Sequence, residues 1–291
     1  MAARQSIGLV SSMCTTQGFR DHMEDTYIQV EDVFGTGIYA IFDGHSGNSS
    51  SIVAEKRLAK MIETELRPAL NPNDCRTCSS VERQNGKLNI EEMLRHFINR
   101  VEKRLKAATT KTSLKSGTTC LIAIAENNRL TVANVGDSRG VMCNSKGVAI
   151  NLSFDHKPDR EDEKERIKDA GDEIIESFPG IWRVRGLAMS RSLGDIIRKR
   201  DDNVIIATPD ILTFNLDQRR PLFMILASDG LWDVMTNQDA VNFIIERYMK
   251  SSDFGASELV KRALKLKSMD NITVIIVVFK NGYYEVGSVN N

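Results

Sequence analysis

The sequence predicts an α+β fold in which packed antiparallel sheets are flanked by helices. Two observations carry this reading. Short β-branched apolar runs are grouped around tight-turn residues, and a pair of amphipathic helical stretches is inserted early, with no regular strand and helix alternation.

The strand candidates are IYAIF at 38–42, LIAIA at 121–125, LTVANV at 130–135, FMILA at 223–227 and ITVIIVVF at 272–279. They are too short and too apolar to be surface helices. ENN at 126–128 and SKG at 145–147 read as turns, which predicts an antiparallel meander through 120–152. Ile52, Val53, Leu58, Met61, Ile62 and Leu66 recur at helical spacing over 49–66, and Pro68 closes the pattern. A second stripe runs over 90–105, from Ile90 through Met93, Leu94, Phe97, Ile98 and Val101 to Leu105. A third helix begins near Thr236, whose side chain caps with Asp239, and continues through Val241, Ile244 and Ile245. Residues 72–88 are polar and aperiodic and read as an inserted loop. A doubly wound parallel sheet would need a strict βαβα rhythm, which is absent.

At 291 residues the chain is expected to form one domain over 1–291. Its 39 basic and 39 acidic residues create no global field for nucleic acid or an anionic membrane, so any phosphate recognition has to be local. The apolar run VIIVVF at 274–279 is far below the roughly 18 residues of a membrane span. MAARQSIGLV has no signal-peptide apolar region, and Ala2 stands where myristoylation needs glycine. A monomer in the cytoplasm or nucleus is the expectation. Cys14, Cys75, Cys78, Cys120 and Cys143 are odd in number and dispersed, which predicts reduced thiols. The pair Cys75 and Cys78 has only His96 nearby, short of the four ligands of structural zinc, and reads as loop cysteines without a metal.

The acidic residues fall in a pattern. IYAIF runs into Asp43, LTVANVG into Asp137 and FMILAS into Asp229, while Asp270 precedes the last strand and Glu24 with Asp25 lies in RDHMED. Taken singly, Asp43-Gly44 and Asp229-Gly230 are ordinary turn signals. Repeated at several strand ends, they predict a carboxylate cluster that needs cations or strongly raised pKa values. Oxygen donors without a His or Cys cluster favour Mg²⁺ or Mn²⁺, and two such ions close together would turn a shared water into a nucleophile. Arg20 offers a planar fork for two phosphate oxygens, or else is a solvated surface arginine. His45 is placed to reach a leaving-group oxygen, or else merely closes the turn.

RDHMED at 20–25, FDGHSG at 42–47, SGTTC at 116–120, ANVGDSRG at 133–140, DHKP at 155–158, AMSRSLGD at 188–195, ASDGLWDVM at 227–235 and DNITV at 270–274 resemble, in order, the signature blocks of the metal-dependent type 2C protein phosphatases. The resemblance covers about residues 6 to 280. The WRVRGLAMSRSLGD and TPDILTF stretches are most similar to the animal subgroup that includes the membrane-anchored epsilon isoform. It implies a four-layer αββα sandwich of two antiparallel sheets flanked by helices. It also implies a protein serine/threonine phosphatase that uses water or hydroxide bridged between two Mg or Mn ions on phosphoserine and phosphothreonine proteins. Carried over by motif, Asp43 bridges both ions, Glu24 and the Gly44 carbonyl complete one site, and Asp229 with Asp270 completes the other. Asp25 orients the water, Asp137 and Asp233 join Asp229 in a weaker additional site, Arg20 clamps phosphate and His45 is the general acid. Residues 159–203, with Trp182, Arg183, Arg185 and Arg191, fall where that family has its substrate-facing flap. Ser46 in place of the usual second glycine, Asp172 after Gly171 and the CxxC insert depart from the common pattern.

Two other readings stand beside this one. CTTQGFR places Cys14 and Arg20 in the spacing of a cysteine phosphatase, although Glu24 and Asp25 would repel its ligand. A pseudophosphatase would keep the fold as a binding module, but its mark, loss of metal carboxylates, is missing.

Overall fold

The computed structural model describes residues 8–71, 83–84, 87–108, 110–200 and 203–280. Ten strands build the body: β1 (Gly8–Thr16), β2 (Thr26–Val33), β3 (Thr36–Phe42), β4 (Cys120–Glu126), β5 (Arg129–Val135), β6 (Arg139–Asn144), β7 (Ala149–Asn151), β8 (Asp210–Asn215), β9 (Pro221–Ala227) and β10 (Ile272–Lys280). They form two antiparallel five-stranded sheets, one ordered β1-β10-β9-β6-β7 and the other β8-β5-β4-β3-β2.

The continuous apolar runs follow from burial on both faces. Because side chains alternate along a strand, Ile275, Val277 and Phe279 of β10 meet Tyr39 and Ile41 of β3 between the sheets. Ile272, Val274, Ile276 and Val278 face outward, where α3 (Asn237–Ile245) and α4 (Ala256–Lys265) cover them. Ile38, Ala40 and Phe42 are covered in the same way by α1 (Ser49–Met61) and α2 (Ile90–Lys106). The result is the four-layer αββα sandwich. Asn89 caps α2 by accepting from the Glu92 N–H, and Thr236 caps α3 by accepting from the Asp239 N–H.

Two expectations are corrected. The meander through 120–152 does not stay in one sheet: β4 and β5 pair in one, β6 and β7 in the other, and the chain crosses at Gly136–Ser138. Alternation in a buried strand does not say which sheet it joins, and the crossing depends on Gly136 at φ 102. Pro68 does not end the first helix. A π-helical turn over Ile62–Leu66 restarts the spiral, Pro68 falls in the first turn of Arg67–Leu70, where a missing N–H is tolerated, and helical structure continues to Leu70. Of the 72–88 insert, the described residues contain a small ladder of Arg83–Gln84 with Lys87–Leu88; Cys75 and Cys78 lie outside the described residues. His96 pairs with Glu92 one turn away at 3.0 Å.

A Cβ at Gly136 would stand 2.7 Å from Thr119 Cγ2 in a left-handed conformation. Gly136→Ala should therefore lower the free energy of unfolding by more than about 1 kcal/mol, read from urea denaturation with an unchanged m-value.

Candidate active site

Strand topology gathers the acidic residues. With β4 antiparallel between them, β3 and β5 deliver Asp43 and Asp137 to the same end of one sheet. In the other sheet the end of β9 lies beside the start of β10, which joins Asp229 to Asp270. A cleft of about 870 Å³ opens there, lined by Arg20, Glu24, Asp43, Gly44, His45, Asp229, Asp233 and Asp270. Asp25 and Asp137 are buried. Nearly the whole residue set singled out in the sequence thus meets at one place.

The acidic loop is held by contacts that local sequence does not reveal. Asn271 Oδ1 accepts from the Glu24 N–H at 2.8 Å, and its Nδ2 donates to the carbonyls of Gln17 at 2.8 Å and His22 at 3.0 Å. Gly47 N–H donates to Glu24 Oε1 at 2.7 Å. Gly44 has no room for a side chain, since a Cβ would strike the Glu24 carbonyl.

Crowded carboxylates in this setting resist ionisation. Burial pushes Asp43 well above the usual carboxylate range, and the charges of Asp25, Asp229, Asp137 and Asp270 push further. Asp229 is raised by burial and then by Asp137 and Asp233. Burial lifts Asp25 from 3.8 to about 6, against the lowering effect of hydrogen bonds donated by Thr273 and Ser228. Cations answer part of this charge. Lys157 Nζ donates to Asp137 Oδ2 at 2.5 Å and Arg20 Nη2 to Asp270 Oδ2 at 2.6 Å. Burial works against the Lys157 charge, but Asp137 and Asp229 hold the ammonium protonated.

The donor set fits a hard divalent cation. Asp25 Oδ1 and Asp137 Oδ1 are buried oxygens without a hydrogen-bond partner, an arrangement that an ion or its water would satisfy. Among the described residues, no group of three His, Cys, Asp or Glu closes tightly enough to hold a metal ion by direct contact alone. The carboxylates ring an open cleft instead, which suits Mg²⁺, an ion that keeps several waters and takes only one or two carboxylates directly.

Other residues from the sequence fall differently. Cys14 packs against the core beneath α4 and is not among the residues lining the cleft, and burial, followed by Asp253, pushes its thiol up, against the thiolate that the cysteine-phosphatase reading needs. In the flap, Trp182 and Arg183 line the cleft, but Arg191 is buried and bound to Glu163 at 2.7 Å and Asp210 at 2.9 Å. Arg185 is turned onto Asp172 at 2.7 Å. These two arginines therefore brace the flap, and Asp172, the departure noted in the sequence, is a partner in that brace. Lys157, Asn271 and Asp195, whose Oδ2 lies 2.7 Å from His45 Nε2, were not singled out as site residues. The signal was present only as their places in the DHKP, DNITV and AMSRSLGD blocks.

Comparison with known proteins agrees with this geometry. The family described as Protein phosphatase 2C matches residues 9–272. Protein phosphatase 1L of Bos taurus is 44% identical over 269 residues, covering 91% of this chain and 71% of that protein. Probable protein phosphatase 2C 59 of Arabidopsis thaliana is 35% identical over 279 residues, 91% of this chain and 78% of the other. The crystal structure of serine-threonine phosphatase 2C from Toxoplasma gondii superposes with a TM-score of 0.72 at 23% identity over 93% of this chain and 94% of that one. Serine/threonine phosphatase Stp1 from Staphylococcus aureus gives 0.70 at 20% identity over 97% and 99%. At such identity the structures establish the shared fold.

The raised carboxylates set a pH dependence with a definite sign. The native state keeps protons that the unfolded chain releases, so in excess EDTA stability should fall as pH rises from about 4 through about 6, by on the order of a few kcal/mol. Asp43→Asn removes one repelling charge and should flatten this slope, and saturating Mn²⁺ should abolish it in the unmutated protein. Urea denaturation at several pH values measures all three; a slope of the opposite sign in EDTA contradicts the electrostatic reading.

Proposed function

The chain belongs to the protein phosphatase 2C family of metal-dependent protein serine/threonine phosphatases, and on that premise we propose that its cleft hydrolyses phosphoserine and phosphothreonine proteins by direct attack of water at phosphorus, with no covalent enzyme intermediate. The observation that carries this reading is the convergence of strand-end carboxylates from both sheets with Arg20 and His45 in a single cleft. Glu24, Asp43, the Gly44 carbonyl, Asp229 and Asp270 would hold two Mg²⁺ or Mn²⁺ ions, and Asp137 and Asp233 with Asp229 a weaker third. Such ions lower the pKa of water and draw charge from phosphoryl oxygens.

The protein groups supply the remaining steps. Asp25 turns its unpartnered Oδ1 to accept a hydrogen bond from the attacking water. Arg20, exposed on its outer side, transfers its fork from Asp270 to two phosphate oxygens. His45 gives a proton to the departing serine or threonine oxygen, which is otherwise a poor leaving group. The reading extends to a monomer acting in the cytoplasm or nucleus, supported by the balanced charge and dispersed cysteines. Among the described residues no helix is long and apolar enough to cross a membrane. Retention of every carboxylate speaks against a pseudophosphatase.

A phosphothreonine peptide should be hydrolysed with Mn²⁺ and not in EDTA. Asp43→Asn and Asp229→Asn should each lose turnover at least about a hundredfold while remaining folded, because each removes an anionic ligand. No turnover at any Mn²⁺ concentration would favour the binding-module reading. Arg20→Ala should raise KM by roughly 10- to 150-fold, the equivalent of about 1.5 to 3 kcal/mol for a charge-assisted contact; an unchanged KM returns Arg20 to the surface.

A further inference from the structure

We infer that Asp195 is the positioning carboxylate of His45, the pair forming a buried dyad that fixes the proton donor for the leaving group. The inference rests on the proposed role of His45 and deepens it.

Three two-residue strands build the setting. Gly44–His45 pairs with Gly117–Thr118, which pairs on its other side with Leu193–Gly194. His45 and Gly194 both stand opposite Gly117. A side chain there would fill the space in which the dyad meets: a Cβ on Gly117 would fall directly on Asp195 Oδ2 and His45 Nε2. This strand glycine is required by the contact, independently of any turn geometry.

Asp195 itself is fully buried and left-handed at φ 53, a conformation aspartate tolerates better than most residues. Its backbone N–H donates to the Ser116 carbonyl at 2.9 Å. Its carboxylate accepts from Ser192 Oγ at 2.8 Å and Arg198 Nη1 at 2.9 Å, and meets His45 Nε2 at 2.7 Å. Burial alone would raise its pKa; the bond to His45, with help from Ser192 and Arg198, holds it below the usual range, so it remains an acceptor-only anion. The loop is also pinned from behind. Lys199 Nζ donates to Glu102 Oε1 of α2 at 2.5 Å and to the Ser192 carbonyl at 2.8 Å, and Glu102 Oε2 accepts from the Gly194 N–H at 3.0 Å.

A carboxylate in this position keeps a proton on Nε2 and fixes the ring plane, as the third group of a catalytic triad does. Nδ1, a buried nitrogen with no hydrogen-bond partner among the described residues, is then the ring nitrogen left to serve the substrate, which has to reach it at the floor of the cleft. As the P–O bond breaks, its electron pair stays on the serine or threonine oxygen, the Nδ1 proton passes to that oxygen, and a neutral imidazole is left with Nε2–H still on Asp195.

The test compares Asp195→Asn, His45→Gln and the double variant on a phosphothreonine peptide and on p-nitrophenyl phosphate, whose leaving group needs little protonation, at saturating Mn²⁺. Asp195→Asn should lower kcat on the peptide by roughly ten- to a hundredfold, part of the 10²–10⁴ that general acids contribute, with KM and nitrophenyl phosphate turnover little changed. In the His45→Gln background it should cost nothing more. Equal loss on both substrates, or losses that multiply in the double variant, overturns the positioning role. If His45→Gln itself fails to distinguish the substrates, the His45 reading falls and takes this one with it. That result differs from the case in which His45→Gln discriminates and Asp195→Asn does not. Should Asp195→Asn not fold, Gly117→Ala, which wedges the pair apart and keeps both charges, must show the same substrate split, and its absence overturns the inference.

Discussion

Mutual repulsion among the carboxylates at the strand ends is the constraint around which the rest of the molecule is arranged. Two carboxylates about 6 Å apart repel by roughly 3 kcal/mol at an effective dielectric of about 20. A handful of such pairs approaches the net stability of a whole domain, about 5 to 15 kcal/mol. Burial first, and this repulsion after it, pushes Asp43, Asp229 and Asp25 upward. A cluster of this kind persists only where the scaffold is stiff and counter-charge is at hand. The stiffness comes from two sheets buried on both faces, and part of the counter-charge from Lys157 and Arg20. In a family of metal-dependent phosphatases, bound cations would supply the remainder.

A second ionic assembly has the opposite character. Glu163 is buried, and burial alone would raise its pKa, yet hydrogen bonds from Arg191, Arg166 and Ser190 bring it down to about 2. Arg191 continues to Asp210 at the start of β8, and His156 lies 3.1 Å from the same carboxylate. Buried ion pairs add little net stability, but breaking one leaves an uncompensated charge, so they fix geometry. Here they fasten the base of the flap to the edge of a sheet. Trp182 and Arg183 consequently reach the cleft from a fixed root, while the exposed Ile175 and Phe178 occupy the outer hairpin.

Much of this was legible in the sequence because it is local. Strands covered on both faces read as unbroken apolar runs, helix α3 announces its cap with Thr236, and the acidic residues stand directly at strand ends. Strands β1 (GLVSSMCTT) and β2 (TYIQVEDV) are sheet edges with mixed polarity and gave no clear run. The sheet crossing at Gly136 was hidden because period-two alternation is the same in either sheet. Asn271, Lys157 and Asp195 were missed for a common reason. Each acts through a partner distant in sequence, Glu24, Asp137 and His45 respectively, and each alone resembles a turn or surface residue. Arg185 and Arg191 lie in the flap region as read from the sequence, and their ion pairs show that a basic residue near a phosphate site can as well be neutralised by its own fold.

On the proposed assignment, the two ends of the reacting phosphate are served by groups of unlike exposure, and the chemistry accounts for the difference. Arg20 has 57% of its side chain exposed, on a loop held through backbone contacts to Asn271, whereas His45 has 21% exposed and faces a fully buried carboxylate. A clamp acts by charge, and its reach tolerates displacement, so it can rest on Asp270 between substrates and still close on phosphate. Proton delivery depends on a donor within hydrogen-bond distance of one oxygen at the moment the bond breaks, and an error of an ångström there costs far more. On that assignment it is around the proton donor that the fold places a strand glycine, a left-handed aspartate and a buried Lys199–Glu102 pair.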